Sequence, residues 1–335
     1  MSNKTSDKTH DKASDIRVEQ SVKVPVNVLV ENNSAAIQVP PASPKASLIK
    51  EWIAAYFSSK LATFGFILAL LLALLAIFAP WITPQNPYDL LQLDILDSRL
   101  PPGSENGMGT FSYWLGTDGQ GRDLYSAILY GLRISLLVGL GSAIIAGTIG
   151  TIVGVASAFF GGRIDAFIMR IVDLMLSFPS ILVAMMILAF LGKGISNVIL
   201  TLVILEWAYY ARTARGQALA ERQKEYVEAA INLDIPQWRL MLIHILPNCL
   251  PPLMVIAMLQ VARAITLEAT MSFLGLGVPV TEPSLGLLIS NGYQYMLSGQ
   301  YWISVFPGLA LLFTIFSLNL VSDQLRAVFN PRGYK

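Results

Sequence analysis

Residues 225–248 read EYVEAAINLDIPQWRLMLIHILPN, which is the longest charged and amphipathic interval between two apolar runs of this chain. The chain on either side is mostly apolar, in runs close to the roughly 20 residues that a helix needs to cross the hydrocarbon core of a bilayer. The interval is therefore expected to lie in water, where a membrane-embedded chain meets a soluble partner. The sequence predicts an all-α integral membrane protein.

The amino-acid composition favours the same class. Of the 335 residues, 54% are apolar and 13% are charged, whereas an ordinary soluble domain has about 25% charged residues. The net charge of +1 gives no basis for binding a polyanion, so no nucleic-acid partner is expected. The single cysteine, Cys249, excludes an internal disulfide, and residues 1–47 lack the apolar core of a secretory signal peptide.

Six apolar runs predict six transmembrane helices. They cover about residues 61–82, 134–160, 166–191, 195–211, 250–270 and 303–320. The third run is interrupted at Phe178-Pro179, and a proline inside a membrane helix is expected to kink it.

The second apolar run carries a small residue at every fourth position. These residues are Ser142, Ala146, Gly150 and Gly154. The spacing places them on one helix face and lets another backbone approach closely. That face is expected to pack either within the chain or against a second membrane subunit.

The distribution of Lys and Arg predicts the orientation, because these residues gather on one side of the spans and so place both termini in the cytoplasm. Four parts are predicted. Residues 1–47 form a disordered cytoplasmic tail, residues 48–130 the first transmembrane helix and a periplasmic segment, residues 131–325 the main transmembrane domain with a loop at 217–248, and residues 326–335 a second cytoplasmic tail. A short docking strand at Val22–Val30 is the alternative within the first tail.

The cytoplasmic loop is expected to fold as a pair of short helices. Residues 217–233 contain strong helix formers and neither Pro nor Gly, and Pro236 suits the first position of a second helix, where its missing N–H costs nothing. The first helix is expected to carry one face made of Tyr226, Ala229, Ala230 and Leu233. The second is expected to carry a stripe made of Trp238, Leu242 and Ile245. The pair is either a connector lying on the membrane or a projection that docks into a groove of a partner protein.

The same loop resembles a known family. Glu228-Ala229-Ala230, followed at the usual distance by Ile245-Leu246-Pro247, is similar to the EAA loop in permease subunits of bacterial ABC importers. Further stretches, in the same order, resemble the second permease of dipeptide, oligopeptide and nickel importers: residues 115–139, 159–182, 267–277 and 306–332. The resemblance extends from about Lys50 to the C-terminus.

This resemblance implies a type I ABC importer permease fold in the bacterial inner membrane. It implies a heterodimer with a second permease subunit, two cytoplasmic ATPase subunits, a periplasmic solute-binding protein and surrounding membrane lipid. Di- or oligopeptides are the implied cargo, with nickel or antimicrobial peptides as the alternative within the family. The chain lacks the G-x-x-x-x-G-K-[ST] and H-E-x-x-H motifs, so it is not expected to be an enzyme or to hold a cofactor. The competing functions are a self-sufficient secondary transporter and a membrane scaffold or assembly protein.

The resemblance also assigns candidate residues to the loop that would couple to the ATPases. They are Glu225, Tyr226, Glu228, Ala229, Ala230, Asp234, Trp238 and Pro247. Glu228 is expected to make a charge-assisted contact or to lock a turn within the interface. Asp234 stands where the family has a glycine, and Asp tolerates the left-handed backbone region better than most residues.

Three charged residues within the predicted spans are candidates for the translocation path: Glu206, Arg263 and Glu268. Intramembrane charges usually face a cavity or a partner, although Glu206 could instead reach the membrane interface. The family usually has a neutral residue at the position of Glu206. Arg122, Asp123 and Glu268 resemble family positions near the outer face, where either ligand contact or packing would explain them.

Overall fold

The computed structural model describes residues 45–329, which form a helical bundle. The helices are α1 Lys45–Phe57, α2 Lys60–Ile82, α3 Leu124–Phe160, α4 Gly162–Ser177, α5 Ser180–Leu191, α6 Ile195–Arg222, α7 Glu225–Asn232, α8 Gln237–Arg239, α9 Leu246–Phe273, α10 Leu285–Tyr293 and α11 Trp302–Phe329. Two short antiparallel strands, β1 Ser104–Glu105 and β2 Ser112–Tyr113, lie between α2 and α3. The predicted strand at Val22–Val30 and most of both predicted tails lie outside the described residues.

The prediction of membrane-spanning helices is confirmed by length and composition. Within residues 45–329, α2, α3, the continuous stretch Gln237–Phe273 and α11 are each long and apolar enough to cross a membrane, and α4 with α5 makes a fifth candidate if the bent pair counts as one span. The fourth predicted span, residues 195–211, corresponds to the first part of α6, which falls outside this set. It is nevertheless a 28-residue helix running through the middle of the bundle.

The third predicted span is broken at Phe178-Pro179, where the interruption is predicted. Helices α4 and α5 meet at an angle of 91° on either side of Phe178-Pro179. The proline removes a backbone donor, and the residue before it adopts an extended conformation, as the bulk of a proline ring requires. Proline therefore ends one helix here and allows a new one to start in another direction.

The small residues of α3 pack within the chain. A Cβ added to Gly150 would lie 2.3 Å from the Trp207 carbonyl oxygen, and one added to Gly154 would lie 2.3 Å from the Ala211 carbonyl oxygen. These approaches hold α3 against α6 at backbone distance. Of the two alternatives for the small-residue face, the intramolecular one is confirmed at these glycines.

The two ends of the bundle differ in character. At one end, called here the α10 end, the segment between α2 and α3 and helix α10 cover the bundle; α10 itself is not predicted from the sequence. Its first turn is capped by Ser284, whose hydroxyl accepts from the Leu287 N–H at 3.2 Å. At the other end, called the α7 end, helices α7 and α8 project from the bundle between α6 and α9.

Helix α1 also lies at the α7 end and is not predicted from the sequence. Its Trp52 ring meets the Phe329 ring of α11 edge to face at 5.4 Å, and its Phe57 ring meets Phe66 of α2 at 5.6 Å. The Gln324 side-chain amide donates to the Ala55 carbonyl oxygen at 3.1 Å. These contacts tie α1 to the first turns of α2 and the last turns of α11.

Candidate coupling segment and intramembrane charges

Residues 223–248 at the α7 end form the candidate coupling segment. Helix α6 ends at Arg222, and after the short turn at Gln223-Lys224 the chain starts α7 at Glu225. The prediction of one helix over residues 217–233 is therefore wrong at its first part. Residues 217–222 extend the long α6, which brings a membrane helix directly up to α7.

The buried face of α7 differs from the predicted one. Val227 and Ala230 are buried against Val155 and Ala158 of α3 and Ala218 of α6. Of the predicted face, only Ala230 is buried, while Tyr226, Ala229 and Leu233 are exposed. The prediction is wrong because α7 has only eight residues, so its contact face is set by how it leans on α3 and α6 and not by its own periodicity.

A polar chain missed by the sequence reasoning ties α7 to both neighbouring helices. The Tyr226 hydroxyl donates to Glu221 Oε2 of α6 at 2.8 Å and accepts from Asn248 Nδ2 of α9 at 3.2 Å. The Lys224 ammonium contacts the other Glu221 oxygen at 2.5 Å. Burial and the neighbouring Glu221 carboxylate raise the pKa of the Tyr226 hydroxyl. Glu221 is thus the residue on which the start of α7 is anchored.

The turn after α7 contains a non-glycine residue in the left-handed region. Asp234 has φ +57, as expected for the position where the family has glycine. Its N–H donates to the Ile231 carbonyl oxygen at 2.9 Å. Pro236 then takes the cap position before α8 and not its first helical position.

The second short helix is continuous with the membrane span. After α8, residues 240–245 form a π-helical segment in which the Leu246 N–H donates to the Met241 carbonyl oxygen. Pro247 in the first turn of α9 offers no N–H, so the ordinary pairing with the carbonyl four residues back is lost and a wider turn replaces it. The π-helical turn alters which residues of the segment face the bundle. Ile245 is buried, whereas Trp238 and Leu242 are exposed, so the predicted stripe is wrong for Trp238 and Leu242.

The exposed surface of the segment is partly apolar. Leu233 is 76% exposed and Trp238 is 62% exposed, and Ile231 is exposed beside them. Glu225, Glu228 and Pro247 are also exposed, and within residues 45–329 the Glu228 carboxylate forms no ion pair. An exposed apolar surface of this kind on a helix tip is typical of a protein-binding site.

Two further ion pairs hold α6 against α4 at the same end. Arg215 donates through Nε and Nη2 to the two Asp165 oxygens at 2.6 and 2.5 Å, a bidentate geometry. Arg212 pairs with Asp173 one turn away along the bundle. Both pairs join residues about 40 to 50 positions apart, so no local sequence signal could have identified them.

The three intramembrane candidates occupy different environments. Glu206 is 1% exposed, and neither of its carboxylate oxygens has a hydrogen-bond partner among the described residues. Arg263 donates to the Ser180 hydroxyl at 3.4 Å and lies 4.3 Å from the Tyr209 ring centre. These two charges lie where α5, α6 and α9 meet.

Glu268 is fully enclosed within the chain. One of its oxygens accepts from the Ser135 hydroxyl of α3 at 3.0 Å, and the other accepts from the Ser272 hydroxyl at 2.7 Å. It has no exposed surface. These contacts connect α3 to α9 and favour packing over ligand contact.

Arg122 and Asp123 lie at the α10 end, just before α3. Asp123 caps α3 by accepting from the Ser126 N–H at 2.9 Å, which explains it as a structural residue. Arg122 is buried, and its side chain donates to the Val280 carbonyl oxygen at 3.0 Å. Burial raises the pKa of the nearby Asp118 carboxyl and lowers the pKa of the Arg122 guanidinium.

Comparison with known proteins places this arrangement in a family. Residues 146–333 match the family described as "Binding-protein-dependent transport system inner membrane component", and residues 47–102 match "N-terminal TM domain of oligopeptide transport permease C". The chain belongs to the family of binding-protein-dependent inner-membrane transport components, as the resemblance at the EAA loop predicts.

Individual relatives agree with this assignment. The "Probable D,D-dipeptide transport system permease protein DdpC" of Escherichia coli (strain K12) is 40% identical over 267 residues, covering 80% of this chain and 86% of the relative. The "Di/tripeptide transport system permease protein DppC" of Pseudomonas aeruginosa (strain UCBPP-PA14) is 35% identical, covering 87% and 95%. The "Oligopeptide transport system permease protein OppC" of Bacillus subtilis (strain 168) is 36% identical, covering 85% and 90%.

A solved structure supports the fold. A chain of the MetNI methionine ABC transporter, in an inward-facing crystal form, aligns with a TM-score of 0.51 at 21% identity, covering 60% of this chain and 96% of that chain. The predicted fold class, the type I importer permease fold, is confirmed. At this identity the likeness shows the fold alone.

Proposed function

We propose that this chain is one of two permease subunits of an ATP-driven importer and carries di- or oligopeptides across the bacterial inner membrane. The observation that carries the proposal is the candidate coupling segment. It presents exposed Leu233 and Trp238, and it is joined without a flexible linker to the membrane helices α6 and α9. A segment that transmits motion must be rigid at both joints, and the chain Glu221–Tyr226–Asn248 supplies a polar connection at this place.

The proposed orientation places the α7 end in the cytoplasm. At that end, Lys50 lies within α1 and Lys60 is the first residue of α2. The last turns of α6 carry Arg212, Arg215 and Arg222. An excess of Lys and Arg favours the cytoplasmic side. The α10 end then faces the periplasm, and the exposed apolar side chains on the flanks of the spans contact lipid or the second permease.

The proposed partners are assigned to the two ends of the bundle by the surfaces that these ends expose. Two ATPase subunits would bind the coupling segments of the two permeases, with the Glu228 carboxylate available for a charge-assisted contact. A periplasmic binding protein would deliver cargo to the α10 end. Peptides are favoured over nickel because the three relatives described above are named for peptides.

The translocation path is assigned to the region where α5, α6 and α9 meet. Arg263 there is only partly buried, and its guanidinium is held by Ser180 and Tyr209. Charged residues within membrane spans usually face the bundle interior or a water-filled cavity and mark substrate or ion paths. Glu206 is buried in the same region. Glu268, whose carboxylate accepts hydrogen bonds from Ser135 and Ser272, is assigned to packing between α3 and α9.

The proposal is tested by reconstitution. The chain is co-expressed with its partner permease and ATPases, placed in proteoliposomes and supplied with a binding protein and a radiolabelled dipeptide. Uptake is expected only when ATP can be hydrolysed on the side of the coupling segment. Uptake driven by a proton gradient in the absence of ATP would overturn the proposal and establish a secondary transporter.

A further inference from the structure

The turn before α3 at the α10 end is rigid. Asp118 Oδ1 accepts from the Gln120 N–H at 2.8 Å and from the Arg122 N–H at 3.0 Å. Gly121 has φ +74, and a Cβ at this position would lie 2.0 Å from the Asp94 carbonyl oxygen. The backbone that carries Arg122 is therefore fixed by its own hydrogen bonds and by close packing.

The Arg122 guanidinium is incompletely paired. The residue is 1% exposed, and its only side-chain hydrogen bond within the described chain goes to the Val280 carbonyl oxygen. Its Nε and Nη1 have no partner among the described residues, and the Oδ2 atom of Asp118, the carboxylate whose charge acts on Arg122, also lacks one. Among residues 45–329, no carboxylate forms an ion pair with Arg122. A buried, unpaired guanidinium is unfavourable, and pairing with an anion would remove that cost.

A cavity adjoins this guanidinium. Its volume is about 450 Å³, and its lining includes Ile95, Gly119, Gln120, Arg122, Val280 and Thr281. These six residues are called the Arg122 socket. The planar fork of an arginine matches a carboxylate in a bidentate manner, so the chemistry that completes the socket is a carboxylate.

The surroundings of the socket fit a protein surface better than a free small molecule. Ile95 is 81% exposed and Leu96 is 89% exposed, and Val280 is also exposed. A buried arginine encircled by exposed apolar side chains has the arrangement of a binding hot spot, in which the rim excludes water. Two exposed charges lie near the socket. The Arg99 guanidinium lies over the Tyr295 ring, which is beside Gly119, and Asp94 directly precedes Ile95 in the chain.

We propose that the Arg122 socket receives a carboxylate side chain of the extracytoplasmic binding protein when that protein docks on the α10 end. This inference rests on the proposed function. Arg122 forms the buried ion pair after local movement of the Val280 loop.

The test uses the assembled complex in lipid nanodiscs with a binding protein that stimulates its ATPase. The concentration of binding protein that gives half-maximal stimulation is measured for wild type, Arg122→Gln and Arg122→Lys. Arg122→Gln is expected to raise this half-maximal concentration at least about tenfold. Arg122→Lys should raise it less, because lysine keeps the positive charge but cannot form the two parallel hydrogen bonds of a guanidinium. Lys193→Gln, an exposed cation in the turn between α5 and α6, is the matched control and should leave it unchanged.

A double-mutant cycle identifies the partner group. Each Asp and Glu on the face of the binding protein is changed to its amide. One change is expected to raise the half-maximal concentration as much as Arg122→Gln does and to add little in combination with it. Additive effects for every carboxylate, or an unchanged half-maximal concentration in Arg122→Gln, would overturn the proposal.

Cross-linking tests the docking site without an Arg122 variant, in the event that these variants fail to assemble. Cys249 is buried, so Gln120→Cys introduces a single exposed thiol on the socket, and Lys193→Cys serves as its control. Cross-linking to the binding protein is expected from residue 120 and not from residue 193; the reverse pattern would contradict the docking site. If no binding protein stimulates the wild-type ATPase, the proposed function fails and not the assignment of the socket alone.

Discussion

Individual residues at the α7 end divide into those that anchor the coupling segment and those that remain available to a partner. Glu221 and Tyr226 are used within the chain. Glu228 is exposed on α7 and forms no ion pair within residues 45–329. This position agrees with a contact to a partner and offers no support for a turn lock within the chain.

Glu228→Lys is expected to reduce ATP-dependent peptide uptake by at least about tenfold, because reversing a charge in an interface places like charges together. Membrane insertion should be unaffected, since the side chain is exposed. Uptake in proteoliposomes and the amount of chain in the membrane fraction are the two measurements. Glu51→Lys, the same charge reversal at an exposed position of α1 at the same end and outside the candidate coupling segment, is the control, and normal uptake by Glu228→Lys would reject the role.

Asp234 stores backbone strain that glycine would relieve. With φ +57, Asp234→Gly is expected to retain or raise thermal stability, while Asp234→Ala should destabilise the turn by about 1 kcal/mol, since alanine lacks the local hydrogen bonding that lets Asp adopt this region. The comparison is made by the thermal denaturation midpoint of the purified complex. Equal midpoints for the two variants would show that the turn conformation contributes nothing to stability.

At the scale of elements, contact between α3 and α6 is set by glycine. These two helices meet at backbone distance through Gly150 and Gly154, and α6 carries that contact on to α7. In the proposed function, this close contact would carry a displacement of α7 into the membrane-spanning part of the bundle.

Gly150→Ala is expected to destabilise the complex by about 1–3 kcal/mol, because the added methyl group would overlap the Trp207 carbonyl oxygen and force the helices apart. Gly141→Ala is the control in the same helix, since the nearest atom to its added Cβ is 3.8 Å away. The thermal midpoints of both variants are measured in the same detergent. A Gly150 variant as stable as the Gly141 variant would contradict the close packing.

At the scale of the whole molecule, the described residues from 48 to 329 form one compact unit, and the two family matches together begin at residue 47 and end at residue 333. The spans, the segment between α2 and α3, and the coupling segment therefore belong to one domain-like body. The first 44 residues precede both the matches and the described residues.

Deletion of residues 1–44 is expected to leave assembly of the complex intact, since the sequence there is polar and lacks the apolar residues needed for a packed core. Recovery of the partner subunits with the tagged, shortened chain is the measurement, and the full-length chain is its reference. Loss of the partners on deletion would show that the tail is part of the assembly.

The sequence by itself determined the class of protein, the approximate spans, the break at Phe178-Pro179 and the position of the short helices between α6 and α9. These features depend on the length of apolar runs, on proline and on short motifs, and all of these are local in the sequence. Sequence reasoning missed Glu221 and the Asp165–Arg215 pair and misjudged the buried face of α7. Those depend on which helices become neighbours, so only the tertiary structure decided them: α7 is too short to impose its own face, and an ion pair between distant positions leaves no local pattern.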